Sequence, residues 1–316
     1  MEANVRGLAI AAVAPVAWGT TYYVTRHYLP AGDPLWGAAL RALPAGVLLL
    51  LLARSRPTGA WWWRSAVLGL LNTSAFFVLV YIAAQRLATS SASMVMALSP
   101  LVMTVIAWAL LAQRPRVAHL AGGASGLAGV VLMMWGRTGG GGTGGLIASV
   151  SAMLVSSLGY VLSQRWSSGA GVLATTAWQL CFGGVLLLAV AAVREGAPPP
   201  LDRRALLGFG YVTLVATALA FLAWFAALRL LPAATVGLVG LLNPVTGVLL
   251  GTLLASEGLT LRQLAGMALI LAGVLLGRPG RAAVEPEVPA ASDPAPGKGR
   301  PRERLRGGTC QLKARR

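Results

Sequence analysis

Ten stretches of nearly unbroken apolar sequence punctuate the chain, at about 7–28, 34–53, 66–85, 89–112, 119–136, 145–165, 172–193, 205–228, 233–255 and 262–277. Each approaches the roughly 20 apolar residues with which a helix crosses the hydrocarbon core of a bilayer. The polar clusters between them are too short to hold an inserted soluble domain. The pattern predicts an all-α membrane protein of ten transmembrane helices. Ala12-Val13-Ala14 in the first run has the small-x-small form of a secretory cleavage site, but Pro15 follows and the apolar run continues. That run is therefore read as a retained span.

Composition points the same way. Charged residues are 11% of the chain, against about 25% in a typical soluble domain, and the mean hydropathy is +0.71. The net charge of +17 raises the question of nucleic acid. Ten of the basic residues, however, lie in the last thirty-nine positions, and most of the others flank apolar runs. The partner implied is the lipid bilayer, not nucleic acid. With the N-terminus inside, Arg6, Arg54, Arg56, Arg64, Arg114 and Arg116 fall in the cytoplasm, as the excess of basic residues on that side requires. The second half sorts less cleanly, and the basic tail again favours inside, so a multi-pass protein of the cell membrane with both termini cytoplasmic is expected. Residues 279–316, rich in Pro, Gly and Arg, are expected to be a disordered cytoplasmic tail. Cys181 and Cys310 form no disulfide framework and no metal spacing.

Self-comparison divides the chain in two. Leu120-Ala121-Gly122 and Leu127-Ala128-Gly129-Val130 recur 144 positions later as Leu264-Ala265-Gly266 and Leu271-Ala272-Gly273-Val274, and Pro100-Leu101 meets Pro244-Val245 at the same offset. Gly46-Val47-Leu48-Leu49-Leu50 returns after 138 as Gly184-Val185-Leu186-Leu187-Leu188, and Tyr22 pairs with Tyr160. Five spans per half is an odd number, so the second copy enters the membrane from the opposite side. Two five-helix inverted-topology repeats result, 1–138 and 146–278, with a glycine-rich linker at 139–145. Inverted repeats are the architecture of alternating access about a midplane site. The linker lacks the Lys-Ser/Thr of a phosphate-cradling loop.

Trp18-Gly19-Thr20-Thr21, Leu40-Arg41, Ala97-Leu98-Ser99-Pro100-Leu101, Asn243-Pro244 and Ser256-Glu257-Gly258, in that order, resemble drug/metabolite transporter proteins of the EamA type. The resemblance covers residues 7–277. It implies a secondary carrier, mostly exporting small metabolites such as amino acids, with no cofactor. The family often has an acid closing the fourth span as well as the ninth; here Gln113 stands where the repeat aligns with Glu257. That departure puts any mechanism needing both carboxylates in doubt.

Few polar residues inside the spans offer chemistry. Arg41, about two turns into the second span, either snorkels, ties carbonyls of a neighbouring helix, or faces a cavity and holds a substrate carboxylate or phosphate. Its repeat partner is the uncharged Gln179. Trp18, Thr21, Tyr22 and Trp178, with Tyr81, Tyr160 and Trp224, are candidates to line a cavity for a small amphipathic solute, or simply to pack helices. Pro100 and Pro244 fall mid-span at repeat-equivalent positions. Each removes an amide donor, so the helical hydrogen bonds at Met96 and Gly240 should be lost. The expectation is a paired hinge, with Ser99 and Asn243 lining the cavity beside Trp18 and Arg41. His27 and His119 are isolated, so no metal site is expected. An intramembrane enzyme needs clustered carboxylates or a nucleophile with its base, and a receptor a sizeable extramembrane domain; the chain has neither. A proton-coupled multidrug exporter of the small multidrug-resistance kind is the nearer alternative. It depends on a Glu in the first span, and the stretch from Ala11 to Thr25 contains no acid.

Overall fold

The computed structural model describes residues 2–87, 89–115, 117–134, 143–167, 169–254 and 261–276. Among the described residues every regular element is helical. In chain order these are α1 (Glu2–Tyr28), α2 (Pro34–Ala53), α3 (Trp61–Arg86), α4 (Thr89–Val95), α5 (Ser99–Leu111), α6 (Val117–Met134), α7 (Thr143–Arg165), α8 (Val172–Arg194), α9 (Arg203–Leu230), α10 (Ala233–Val239), α11 (Leu242–Leu254) and α12 (Leu261–Leu276). Seven helical stretches among the described residues are long and apolar enough to cross a membrane: α1, α2, α3, α7, α8, α9 and the 233–254 stretch of α10 and α11. Met96–Leu111 and Leu264–Gly273 are shorter apolar helices. Of the expected linker, Thr143, Gly144 and Gly145 lie in the first turn of α7. The rest of it (139–142), Glu257 and the expected tail (279–316) lie outside the described residues.

The prolines act differently from expectation. Between α4 and α5 the backbone tightens to a 3₁₀ turn at Met96–Leu98, and between α10 and α11 it turns at Gly240 and Leu241. Pro100 and Pro244 then sit in the first turns of α5 and α11, where an N–H would have no helical partner anyway. The carbonyls they deprive are not left bare. Ser99 N–H donates to Met96 O, and Asn243 N–H donates to Gly240 O at 3.0 Å. The hydrogen bonds expected to be lost are thus replaced by donors one residue early, in 3₁₀ fashion.

A second irregularity had no counterpart in the sequence reading. α3 and α9 each widen to π-helix, at Leu70–Ala75 and Leu214–Leu219, which are equivalent at the offset of 144. Such π segments are frequent at functional sites.

Connections gather at two ends. At one, the Glu195 carboxylate accepts from Leu35 N–H at 2.9 Å and Trp36 N–H at 2.8 Å. It thereby caps α2 in place of Asp33, whose side chain makes no cap. Tyr81 donates its hydroxyl to Pro30 O, and Arg26 reaches Leu87 O at 2.6 Å at this end too. At the other, Gln164 Nε2 donates to Leu228 O and Leu231 O, and Gln113 Nε2 donates to Gln164 Oε1 at 3.1 Å. Arg229 there donates to Ala170 O at 2.5 Å.

α2 packs on α8 and α6 on α12, pairs of helices that stand at sequence offsets of 138 and 144. A Cβ on Gly46 would stand 2.8 Å from Cys181 N, and one on Gly184 2.8 Å from Leu43 Cα. These two contacts are images of each other at the offset of 138. Ser125 Oγ donates to Leu269 O at 2.8 Å, between positions 144 apart.

Candidate functional site

The π-turn of α9 organises the interior. A backbone closing i to i+5 leaves one carbonyl without its own helical donor, so that a side chain must supply it. Arg41, only 6% exposed, lies on α2 opposite this turn. Its Nε donates to Thr217 Oγ1 at 2.7 Å and its Nη2 to Ala216 O at 3.0 Å. The Trp18 indole Nε1 donates to the same Ala216 O at 3.0 Å. Thr217 Oγ1 in turn donates to Val212 O at 2.6 Å. Arg41 therefore does tie a neighbouring helix, and its guanidinium carbon also stands 4.2 Å from the Phe77 ring centroid. No carboxylate among the described residues pairs with it; Tyr22, Tyr160 and Tyr211 are its electrostatic neighbours.

Aromatic rings close around this clasp. Trp18 lies parallel to Tyr160 with centroids 6.0 Å apart, and meets Phe221 at 5.3 Å and Trp224 at 5.1 Å. Phe77 and Phe221 meet edge to face at 5.5 Å. Inside the nest the Tyr160 hydroxyl faces Ser156, and the Trp224 Nε1 is buried with no hydrogen-bond partner among the described residues. An unsatisfied buried polar group costs about 1–3 kcal/mol.

Of the residues singled out in the sequence, the structure brings together Trp18, Tyr22 and Arg41, with Tyr160 and Trp224 beside them. Thr21 is buried nearby but bonds back to Ala17 O of its own helix, at 3.4 Å. Asn243 reaches α1 one residue beyond Trp18: a Cβ on Gly19 would stand 2.7 Å from Asn243 O. The Asn243 Oδ1 is buried without a partner. Ser99 is half-buried at the head of α5. Gln179 belongs to a second clasp, accepting from Asn72 Nδ2 at 2.9 Å on the π-turn of α3. Gln179 stands 138 positions after Arg41, the offset found in the sequence. Trp178 lies apart, packed on Trp61 at 5.7 Å and donating its Nε1 to Ser55 O at the far end of the molecule. Tyr81 serves the opposite end.

Asn72, Thr217, Phe77 and Phe221 were not singled out in the sequence. Asn72-Thr73-Ser74 is a polar triplet in the middle of an apolar run, a visible signal for a polar clasp. Thr217 and the two phenylalanines carry none, because hydroxyls and rings inside spans usually pack.

The EamA-like transporter family matches this chain over residues 5–135 and 143–277. Among curated proteins, Protein PecM of Dickeya dadantii is 36% identical over 265 residues, 83% of this chain and 89% of its own length. An uncharacterized inner membrane transporter, YedA of Escherichia coli K12, is 30% identical over 268 residues, 83% of this chain and 87% of its own length. An uncharacterized transporter of Bacillus subtilis, YvbV, is 26% identical, covering 83% of this chain and 88% of its own length. One solved crystal structure has the same fold, with a TM-score of 0.70 at 21% identity over 86% of this chain and 96% of that one. With both halves matched, the chain belongs to the EamA-like transporter family, a family of membrane transporters.

Proposed function

We propose that the protein is a secondary transporter that exports small metabolites such as amino acids across the cytoplasmic membrane by alternating access. It is built as two inverted five-span repeats with both termini inside. The observation that carries this reading is the buried guanidinium of Arg41 beneath an aromatic nest whose Trp224 indole has no partner among the described residues. A cation held in a low-dielectric interior without a carboxylate suits a solute with an anionic end. The repeat is supported by the twin π-turns, the image contacts of Gly46 and Gly184, and the near-equal stretches matched by the family. Inversion is supported by the ends: α1 finishes at the end holding Glu195, and α7 at the opposite end, beside Arg229. The proline turns and the two π-turn clasps are the places where one half moves against the other.

The test is uptake of an amino-acid and metabolite panel into proteoliposomes of the purified full chain, followed by substrate affinity in Arg41→Gln, Asn243→Ala and Ser99→Ala. Transport of one solute class with affinity lost in Arg41→Gln is expected. Transport unchanged in all three variants places the site elsewhere.

A further inference from the structure

A groove of about 310 Å³ runs down the side of the protein between α1, α9 and α11, at the end where Glu195 lies. Its walls are Val24, Leu207, Leu250 and Leu254, and its polar groups come from Thr20, Tyr23, Tyr28 and Tyr211. That volume lies at the lower edge of the small-molecule range. Its floor is a single hydrogen bond, Thr20 Oγ1 to Tyr211 OH at 2.6 Å. Trp18 lies two residues from Thr20 on α1, and Arg41 reaches Ala216 and Thr217 on α9, five and six residues beyond Tyr211. At the mouth the Arg204 guanidinium lies 5.0 Å from the Tyr28 ring centroid.

The opposite end is built otherwise. The repeat equivalents of Tyr28, Leu207 and Gly208 are Trp166, Trp63 and Arg64. There Trp63 and Trp166 meet edge to face at 5.0 Å, and the Arg64 guanidinium lies 5.7 Å from one ring and 5.8 Å from the other. Tyr211 is matched by Val67, so the equivalent place has indoles for filling and no hydroxyl pair for a floor.

We propose that this groove is a lateral portal through which an amphipathic solute, an apolar or aromatic body with one anionic head, passes between the central site and the bilayer leaflet at the Glu195 end. The Thr20–Tyr211 hydrogen bond is its gate. The four apolar walls fit the body. The tyrosine hydroxyls and Arg204 at the mouth, then Arg41 behind the gate, offer the head a partner at each stage. An acyl chain would leave those groups unused. The proposal rests on the reading of Arg41 and Trp18 as the transport site.

The experiment uses the full chain in lipid nanodiscs and two photoreactive probes, a diazirine-bearing benzoate and a diazirine-bearing phospholipid, with adducts mapped by mass spectrometry. The benzoate is expected to label Tyr23, Tyr28 and Tyr211. Leu207→Trp, which copies Trp63, should reduce that labelling roughly tenfold, because an indole displaces the apolar contact that holds the body. Leu250→Trp fills the groove from α11 and serves if the first variant does not fold. Tyr211→Phe opens the gate and should raise labelling of Trp18 and Tyr22. Groove labelling by the phospholipid that excess benzoate does not displace would make this an acyl-chain seat and overturn the portal. Benzoate adducts unaffected by either tryptophan would overturn it as well. Failure of the transport reading shows separately, as a wild-type chain that moves no solute in proteoliposomes whatever the labelling.

Discussion

Arg41→Gln separates a residue that holds helices from one that holds a solute. The substitution deletes two hydrogen bonds from a charged donor, worth about 1.5–3 kcal/mol each, and a ring contact worth about 0.5–2 kcal/mol. It also removes a guanidinium from the interior of the spans, which returns several kcal/mol of desolvation. The two sides nearly cancel. Ala216 O keeps its bond from Trp18 Nε1 and Thr217 keeps its bond to Val212 O, so the π-turn is not stranded. Glutamine moreover is the residue at the equivalent position 179, where it fits against the π-turn of α3. Stability should therefore stay within about 2 kcal/mol of the parent protein, since removing a buried charge together with its partners' obligations is often neutral.

Binding has no such compensation. A solute carboxylate brought to this site without its cation loses about 3–5 kcal/mol, the cost of leaving a buried charge unpaired. That corresponds to roughly 10²- to several-thousand-fold in affinity. Stability is read by SDS-induced unfolding of the detergent-solubilised protein, and affinity by solute binding to the fraction that elutes as folded. A loss of stability above about 4 kcal/mol with unchanged affinity in the folded fraction would refute the reasoning and make Arg41 a tie between α2 and α9 alone.

Gly46→Val and Gly184→Val should each destabilise the protein by more than about 2 kcal/mol, because their nearest neighbours are backbone atoms that cannot rotate away; SDS unfolding midpoints check this, and a neutral result at both would mean α2 and α8 pack more loosely. A cysteine placed between residues 139 and 142, in a chain lacking Cys181 and Cys310, should react with an impermeant maleimide on whole cells. One at Arg114 should react only after permeabilisation, and labelling of the first from inside alone would remove the inverted arrangement. Steady-state accumulation in proteoliposomes should depend little on an imposed proton gradient, since Ala11 to Thr25 contains no acid and the Arg41 nest has no carboxylate partner among the described residues. Concentrative uptake driven by that gradient and abolished by Glu257→Gln would contradict it.

How much of this was readable beforehand depends on the kind of signal. Apolar runs place the helices because lipid leaves backbone polar groups no partner but their own chain. The repeat offsets of 138 and 144 mark Gly46 and Gly184 as counterparts, but that their helices pack on each other is visible only in the structure. Arg41 stood out by its cost, and Trp18 by the small residues after it. The π-turns did not, because a widening by one residue leaves hydropathy unchanged. Between lining a cavity and packing helices the sequence left Trp178 open, because an indole reads alike in both; the bond from its Nε1 to Ser55 O sets it at an end of the helices. The prolines show the opposite limit. Their positions were plain, but a donor one residue early repairs what they remove, and composition cannot reveal that.

The two clasps are equivalent in place and unequal in chemistry, and this bears on how a rocking carrier is biased. Arg41 holds the π-turn of α9 through a charged fork and shares its carbonyl with Trp18. Gln179 holds the π-turn of α3 through neutral contacts alone. Its Oε1 accepts from Asn72 Nδ2 at 2.9 Å and its backbone O from Thr73 Oγ1 at 3.4 Å, while the Asn72 Oδ1 is buried without a partner among the described residues. Charge-assisted bonds are roughly twice as strong as neutral ones. If the halves exchange conformations, the arrangement that keeps the Arg41 clasp closed is favoured in the absence of solute. An anionic head competing for the guanidinium loosens that clasp and so lowers the barrier to the exchange. A carrier biased in this way couples conformational change to occupancy without a titrating carboxylate.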